Sequence, residues 1–203
     1  MFYRKSAVEY LLGTARKDVV ARHWVITTIV LGSLTVGVCS RFETWPQIAD
    51  RLNVHRHDIE AGRNVDTAFD ALHEELASTN HFGRMYAVTI FRDLGPKASR
   101  SVPWLIKTLD DPDPVVRRES ALTLSMFGPA SEPAMEALIA AVRRSPTADT
   151  AWFAIEALGN IGPPARQYVP ELKEHLNRYR TAHGESYPGV DSAEEAIQKL
   201  ESP

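Results

Sequence analysis

The sequence predicts an all-α protein: an α-α superhelix of about three helix-hairpin repeats plus caps, preceded by an N-terminal hydrophobic helix. Three observations predict it. Gly-Pro recurs as Gly95-Pro96, Gly128-Pro129 and Gly162-Pro163, spaced 33 and 34 residues apart. Apolar residues keep the same registers around each of those glycines. A run of 17 residues without a charge, Trp24 to Ser40, stands apart from everything else. Of the 203 residues 44% are hydrophobic and 24% charged, enough apolar material to bury a core. The net charge of −3 argues against a surface dedicated to phosphate contacts, so a nucleic-acid partner is disfavoured. A single cysteine, Cys39, excludes a disulfide framework and a Cys-rich zinc module.

Residues 1–23 form a basic N-terminal segment. Residues 1–40 carry Arg4, Lys5, Arg16, Lys17 and Arg22 against Glu9 and Asp18, a net +3, while the rest of the chain is −6. Residues 24–40, WVITTIVLGSLTVGVCS, are expected to be a transmembrane or signal-anchor helix. Seventeen residues at 1.5 Å each span about 25 Å, the short end of a bilayer crossing. The hydroxyls of Thr27, Thr28, Ser33, Thr35 and Ser40 can bond the preceding helical turn, and Trp24 sits where an interfacial aromatic belongs. The positive-inside bias puts the N-terminus in the cytoplasm and the repeats on the outer side of the membrane. A cleaved secretory signal is a variant of this reading; Val38 makes a poor lipoprotein site. The competing reading is a cytoplasmic protein with this run as a core element, since nine of the fifteen residues from Val25 to Cys39 are β-branched.

Residues 41–80 are expected to be a helical linker and N-terminal cap. Within them TWPQIADRLNVHRHDI fits helix-turn-helix spacing, with Ile48, Ala49 and Leu52 before a turn at Asn53 and Val54 and Ile59 after it. Gly62 follows so closely that the second helix would have only two turns, and no basic patch flanks it. An amphipathic helix with an Asn-containing turn gives the same letters. Residues 64–79, NVDTAFDALHEELAST, place Ala68, Phe69, Leu72 and Leu76 on one face, as a capping helix or the second helix of a degenerate repeat.

The repeats occupy residues 81–178. Counting from each Gly, a leucine stands ten residues on (Leu105, Leu138, Leu172) and an apolar residue seven on (Val102, Met135, Val169). Leu94, Phe127 and Ile161 precede the Gly directly, Phe91, Leu124 and Leu158 lie four before it, and small Ala87, Ser120 and Ala154 eight before. Each unit is an amphipathic helix, a Gly expected as left-handed C-cap, a Pro that stops the helix, a short turn and a second amphipathic stretch. The apolar faces are too wide to bury alone, and stacking neighbours buries them.

Those residues carry a resemblance. The runs DDPDPVVRRESALTLSMFGPA and ALGNIGPPARQYVPELKEHL resemble HEAT-type repeats of the short, phycobilin-lyase-like class. Val116-Arg117, Ala157-Leu158-Gly159, Ile161-Gly162, Val102-Pro103-Trp104-Leu105 and Val169-Pro170-Glu171-Leu172 match its pattern; the middle copy departs at Phe127 and Met135-Glu136. The resemblance implies a helical solenoid and leaves function open among scaffolds, lyases and glycosylases. A di-iron hydroxylase on such repeats needs several His-Glu pairs, and only His73-Glu74 occurs, expected as a solvated pair on an exposed face. A glycosylase needs a basic, aromatic-lined cleft, whereas Trp104 and Trp152 read as core or partly buried packing residues. No phosphate loop, nucleophile elbow or paired His/Cys arrangement appears, so no catalytic residue, metal or cofactor is expected.

Residues 179–203 form a hinge and a C-terminal capping helix, Asp191 to Leu200, with Asp191 or Ser192 as N-cap and Ala193, Ala196, Ile197 and Leu200 turned to the stack. The functional expectation is a non-catalytic protein–protein interaction scaffold, membrane-anchored through residues 24–40. It would present the polar second-helix residues Arg100, Lys107, Glu136, Arg143, Arg144, Lys173 and Glu174 to an unidentified protein or peptide. Two alternatives stand beside it. One is a soluble cytoplasmic repeat protein whose N-terminal helical domain contacts nucleic acid. The other is a tetrapyrrole lyase or chaperone-like enzyme.

Overall fold

The computed structural model describes residues 43–144, 149–183 and 189–202. The expected hydrophobic helix at 24–40 and the basic segment before it lie outside the described residues. Among the described residues no helix is long and apolar enough to cross a membrane.

Helical periodicity becomes helices throughout, and the described residues contain nine α-helices and no strand. They are α1 (Trp45–Glu60), α2 (Val65–Glu75), α3 (His81–Leu94), α4 (Val102–Thr108), α5 (Pro114–Phe127), α6 (Met135–Arg144), α7 (Asp149–Ile161), α8 (Val169–His183) and α9 (Val190–Glu201). Helices α1, α3, α5, α7 and α9 pack side by side in that order as one layer. Helix α2 packs on both α1 and α3, while α4, α6 and α8 each follow a first helix through a short turn and rest against the next one, α5, α7 and α9, which makes four two-helix units closed by α9. This is the all-α superhelix that the repeat registers predict.

The register residues line the interior. Ala87, Phe91, Leu105, Ser120, Leu124, Leu138, Ala154, Leu158 and Leu172 are all fully buried. Between first and second helix, three units carry a short 3-10 turn, at Gly95–Ser101, Gly128–Ala134 and Pro163–Tyr168. The third residue after each Gly (Ala98, Ser131, Ala165) is also fully buried, because each turn packs against the next first helix, α5, α7 or α9.

Four expectations change. Gly95, Gly128 and Gly162 do have positive φ (59°, 56° and 87°), but their ψ values of −144°, −129° and −143° are not those of a left-handed C-cap. The following Pro excludes helical ψ for the residue before it, so each Gly takes the mirror image of the extended conformation. The helix-turn-helix reading fails, since α1 runs unbroken from Trp45 to Glu60. Asn53 is a mid-helix residue there, and its side-chain oxygen accepts a bond from the Tyr86 hydroxyl (3.1 Å). The N-cap of α9 is Gly189, at φ 101°, rather than Asp191 or Ser192; a Cβ at Gly189 would lie 2.8 Å from the Trp152 ring. Finally, Arg100 belongs to the 3-10 turn before α4 and not to the second helix itself. The segment 64–79 supplies α2, which pairs with α1 as the second helix of a hairpin.

Candidate functional site

The second-helix face is built from residues that the 3.6-residue period turns away from the core. Arg100, Lys107, Glu136, Arg143, Arg144, Lys173 and Glu174 are all exposed. They are not one free charged patch, however. Six of them are engaged, most with a partner one repeat away. Arg100 donates to Asp66 of α2 (2.7 Å), Arg144 pairs with Asp110, and Arg143 forms a two-pronged pair with Glu171 (2.6 and 2.8 Å). Glu136 accepts from the Tyr168 hydroxyl (2.5 Å), Lys173 pairs with Glu201 of α9 (2.5 Å), and Glu174 faces Arg178 at 3.9 Å within α8. The Arg143 guanidinium holds the Glu171 carboxyl below its usual range. Exposed pairs of this kind add little stability.

One region of this face has a different character. Trp104, 36% exposed, lies flat on the His73 ring, with centroids 3.6 Å apart and planes within 3°. His73 is itself 8% exposed; its Nε2 pairs with the buried Ser101 hydroxyl (2.9 Å), and Nδ1 has no partner among the described residues. The His73 ring also leans on Phe69 and Phe91. Burial pushes its pKa down to about 4, so it is neutral near pH 7. Arg100 lies over the Phe69 ring at 4.8 Å. Trp104 and Lys107 stand three residues apart on α4, and Arg100 precedes them in the 3-10 turn.

The expectation of His73-Glu74 as a solvated pair is therefore corrected. His73 faces inward because Ser101, 28 residues later, offers its buried ring nitrogen a partner. Trp152 is buried at 6%, edge-on to Tyr179 and His175, as a packing residue should be. Trp104 is only partly so, with one face of its ring on His73 and the rest in solvent. A partly buried packing residue is one of the two readings that the sequence offers for Trp104; that its covered face lies on His73 had no local signal.

On the first-helix layer a cleft of about 510 Å³ lies among Arg118, Glu119, Trp152, Phe153 and Glu156, beside Gly189. Its acids are all occupied: Glu119 by Arg92 and Arg118, Asp149 by Arg118, and Glu156 by the Ser125 hydroxyl. No group of three or more His, Cys, Asp or Glu side chains among the described residues could hold a metal ion.

No curated protein matches this chain. A family model for HEAT repeats matches residues 69–149, from within α2 to the first residue of α7. HEAT repeats are in general scaffolds for protein interaction and not enzymes. With helix hairpins, buried register residues and that match in hand, residues 69–149 are a HEAT-repeat segment.

Proposed function

We propose that this protein is a non-catalytic interaction scaffold that binds an acidic peptide or helix of a partner protein on its second-helix face, with Trp104 as the anchor. The observation that carries this reading is the stripe Arg100–Trp104–Lys107. Trp and Arg are the residues that dominate binding energy at interfaces. Trp104 is stacked on a rigid, buried base, so little side-chain entropy remains to be lost on binding. Lys107 lies on the same exposed stripe, and Arg100 is already turned toward a carboxylate at Asp66. A partner carboxylate can compete for that exposed pair at low cost. Arg143, Arg144, Glu136 and Lys173 link neighbouring units beside the anchor, and Glu174 pairs within α8.

The scaffold is held at a membrane by residues 24–40, with the N-terminus cytoplasmic and the repeats outside. The support for this is the uncharged run and the basic head before it.

Two experiments test these statements. A photo-crosslinking residue at Lys107 in the full chain is expected to capture a partner that the same residue at Met126, exposed on the first-helix layer, does not. Trp104→Ala should then lower that capture by about tenfold. Equal capture at both positions, or no effect of Trp104→Ala, overturns the assignment of this face. Membrane fractionation with a carbonate wash, and protease added from outside, tests the anchor. Retention with repeats digested only from the outer face is expected, and a soluble chain overturns it.

A further inference from the structure

We propose that Trp45, Phe82 and Tyr86 form a second membrane contact, which beds the first end of the repeat stack in the lipid–water interface. The proposal rests on the reading of residues 24–40 as a membrane anchor. Trp45 opens α1 and Phe82 stands in the first turn of α3, and both are well exposed, at 42% and 46%. Their rings meet edge to face at 5.9 Å, and Trp45 meets Tyr86 in the same manner at 5.1 Å. The Tyr86 hydroxyl is tied to Asn53, and the Asn80 side chain caps α3 by accepting from the Phe82 N–H (3.0 Å). The cluster is thus held in place, yet its two largest apolar members face outward. The core-facing positions of α1 are Ile48 and Leu52, both fully buried.

Adjacent exposed Trp and Phe rings are a cost in water and a gain at an interface. The bilayer is the occupant that the chain itself supplies. Trp45 is five residues from Ser40, the end of the uncharged run. Five residues reach at most about 18 Å when fully extended. The polar layer of a bilayer is about 5–7 Å deep on each side, and a link this short allows the cluster to rest in it. Trp and Tyr are the residues that favour this layer, since their rings are apolar and their N–H and O–H groups polar.

The test uses the full chain with Cys39, its only cysteine, replaced by Ser. Phe82→Cys in that background carries an environment-sensitive fluorophore, and Met126→Cys, exposed in the last turn of α5, carries the same label as control. Thermal melts establish that both labelled chains are folded. Both are reconstituted into vesicles of phosphatidylcholine and phosphatidylglycerol and recovered by flotation. The expected result is blue-shifted emission at position 82, quenched by lipids that carry a nitroxide near the headgroup, with neither effect at 126. If the chain floats and position 82 is as wet as 126, the docking is overturned while the anchor stands. A position 82 that is blue-shifted but not quenched by labelled lipid also overturns it, and points to a second copy of the chain. If the chain does not float at all, the anchor reading fails and takes this proposal with it.

Discussion

Arg84 and Asp111 show how much a single pair can depend on its partner. They are 27 residues apart, buried, and joined by two bonds of 2.7 and 2.8 Å. Burial alone would raise the Asp111 carboxyl. The bonds from Arg84 and from the Asp113 N–H outweigh it and hold the carboxyl below its usual range. Arg84→Ala strands that carboxylate, with an expected loss of about 3–5 kcal/mol in urea unfolding. Arg84→Met combined with Asp111→Leu should cost less than Arg84→Ala alone; the opposite order would show that the charge, not the stranding, matters. Because the folded pKa of Asp111 is depressed, its contribution is present above the ordinary carboxylate range and is lost as pH falls through the lowered value. His73 acts in the same direction but higher in pH. Unfolded it takes a proton near 6.5, while folded it refuses one until about 4. Stability is therefore expected to fall as pH drops from about 6.5 toward 4, and His175, also lowered by burial, adds to the slope. His73→Gln should flatten the fall in melting temperature over this window. An unchanged slope would remove His73 from the account. None of this was legible locally, since Asp70 and Glu74 make His73 look solvated and Ser101 lies 28 residues away.

The helix boundaries were legible as letters and not as conformations. Each Gly-Pro junction marks where a first helix stops. The backbone there has positive φ and strongly negative ψ, a region essentially open to glycine alone. Gly128→Ala is expected to cost about 1–3 kcal/mol, although a Cβ there would meet only the Asn160 carbonyl at 3.6 Å. A cost no greater than that of an ordinary surface substitution would mean the junction can relax. Gly159 is different, because its backbone is helical and its constraint is contact. A Cβ there would lie 2.6 Å from Ala196 Cβ and 2.8 Å from Ala196 Cα, so α9 would have to retreat. Gly159→Ala should therefore destabilise by about 1–3 kcal/mol and expose Ala193 and Ile197. Hydrogen exchange along α9 reads that outcome, and unchanged protection would contradict the close packing. The same limit explains α1. Asn53 carries a turn-former's side chain, but Ile48 and Leu52 are buried on one face and tertiary packing keeps the helix whole.

Across the whole stack, each unit is joined chiefly to its neighbours. Among the described residues the main contacts between first helices follow sequence order, and polar links span one repeat, as in Arg143–Glu171, Arg56–Asp93 and Lys173–Glu201. Stability should then vary along the chain, with the ends weakest. A chain ending at His183 lacks α9, which covers Gly159 and supplies the carbonyl of Leu200 to Arg166 (2.8 Å). Its hydrogen-exchange protection is expected to fall first in α7 and α8 and to persist in α3 and α5. Uniform loss across all units would instead mean that the stack melts as one cooperative body.

The sequence by itself determined the architecture of the repeats. A 33-residue period with apolar registers has one economical solution, which is to bury each unit's wide face against the next. Helical spacing also put Lys107, Glu136, Arg143, Arg144, Lys173 and Glu174 outside, whereas it gave no sign that Arg84, Glu75 and Glu119 are buried. The tertiary structure decided what those side chains do. Whether Arg100 faces solvent or Asp66, and whether a Trp is covered or half open on a buried histidine, depends on residues about one repeat away. Local periodicity reports only which face of a helix is apolar. The partner across the stack is set by how the units register, and that register exists only once they are packed.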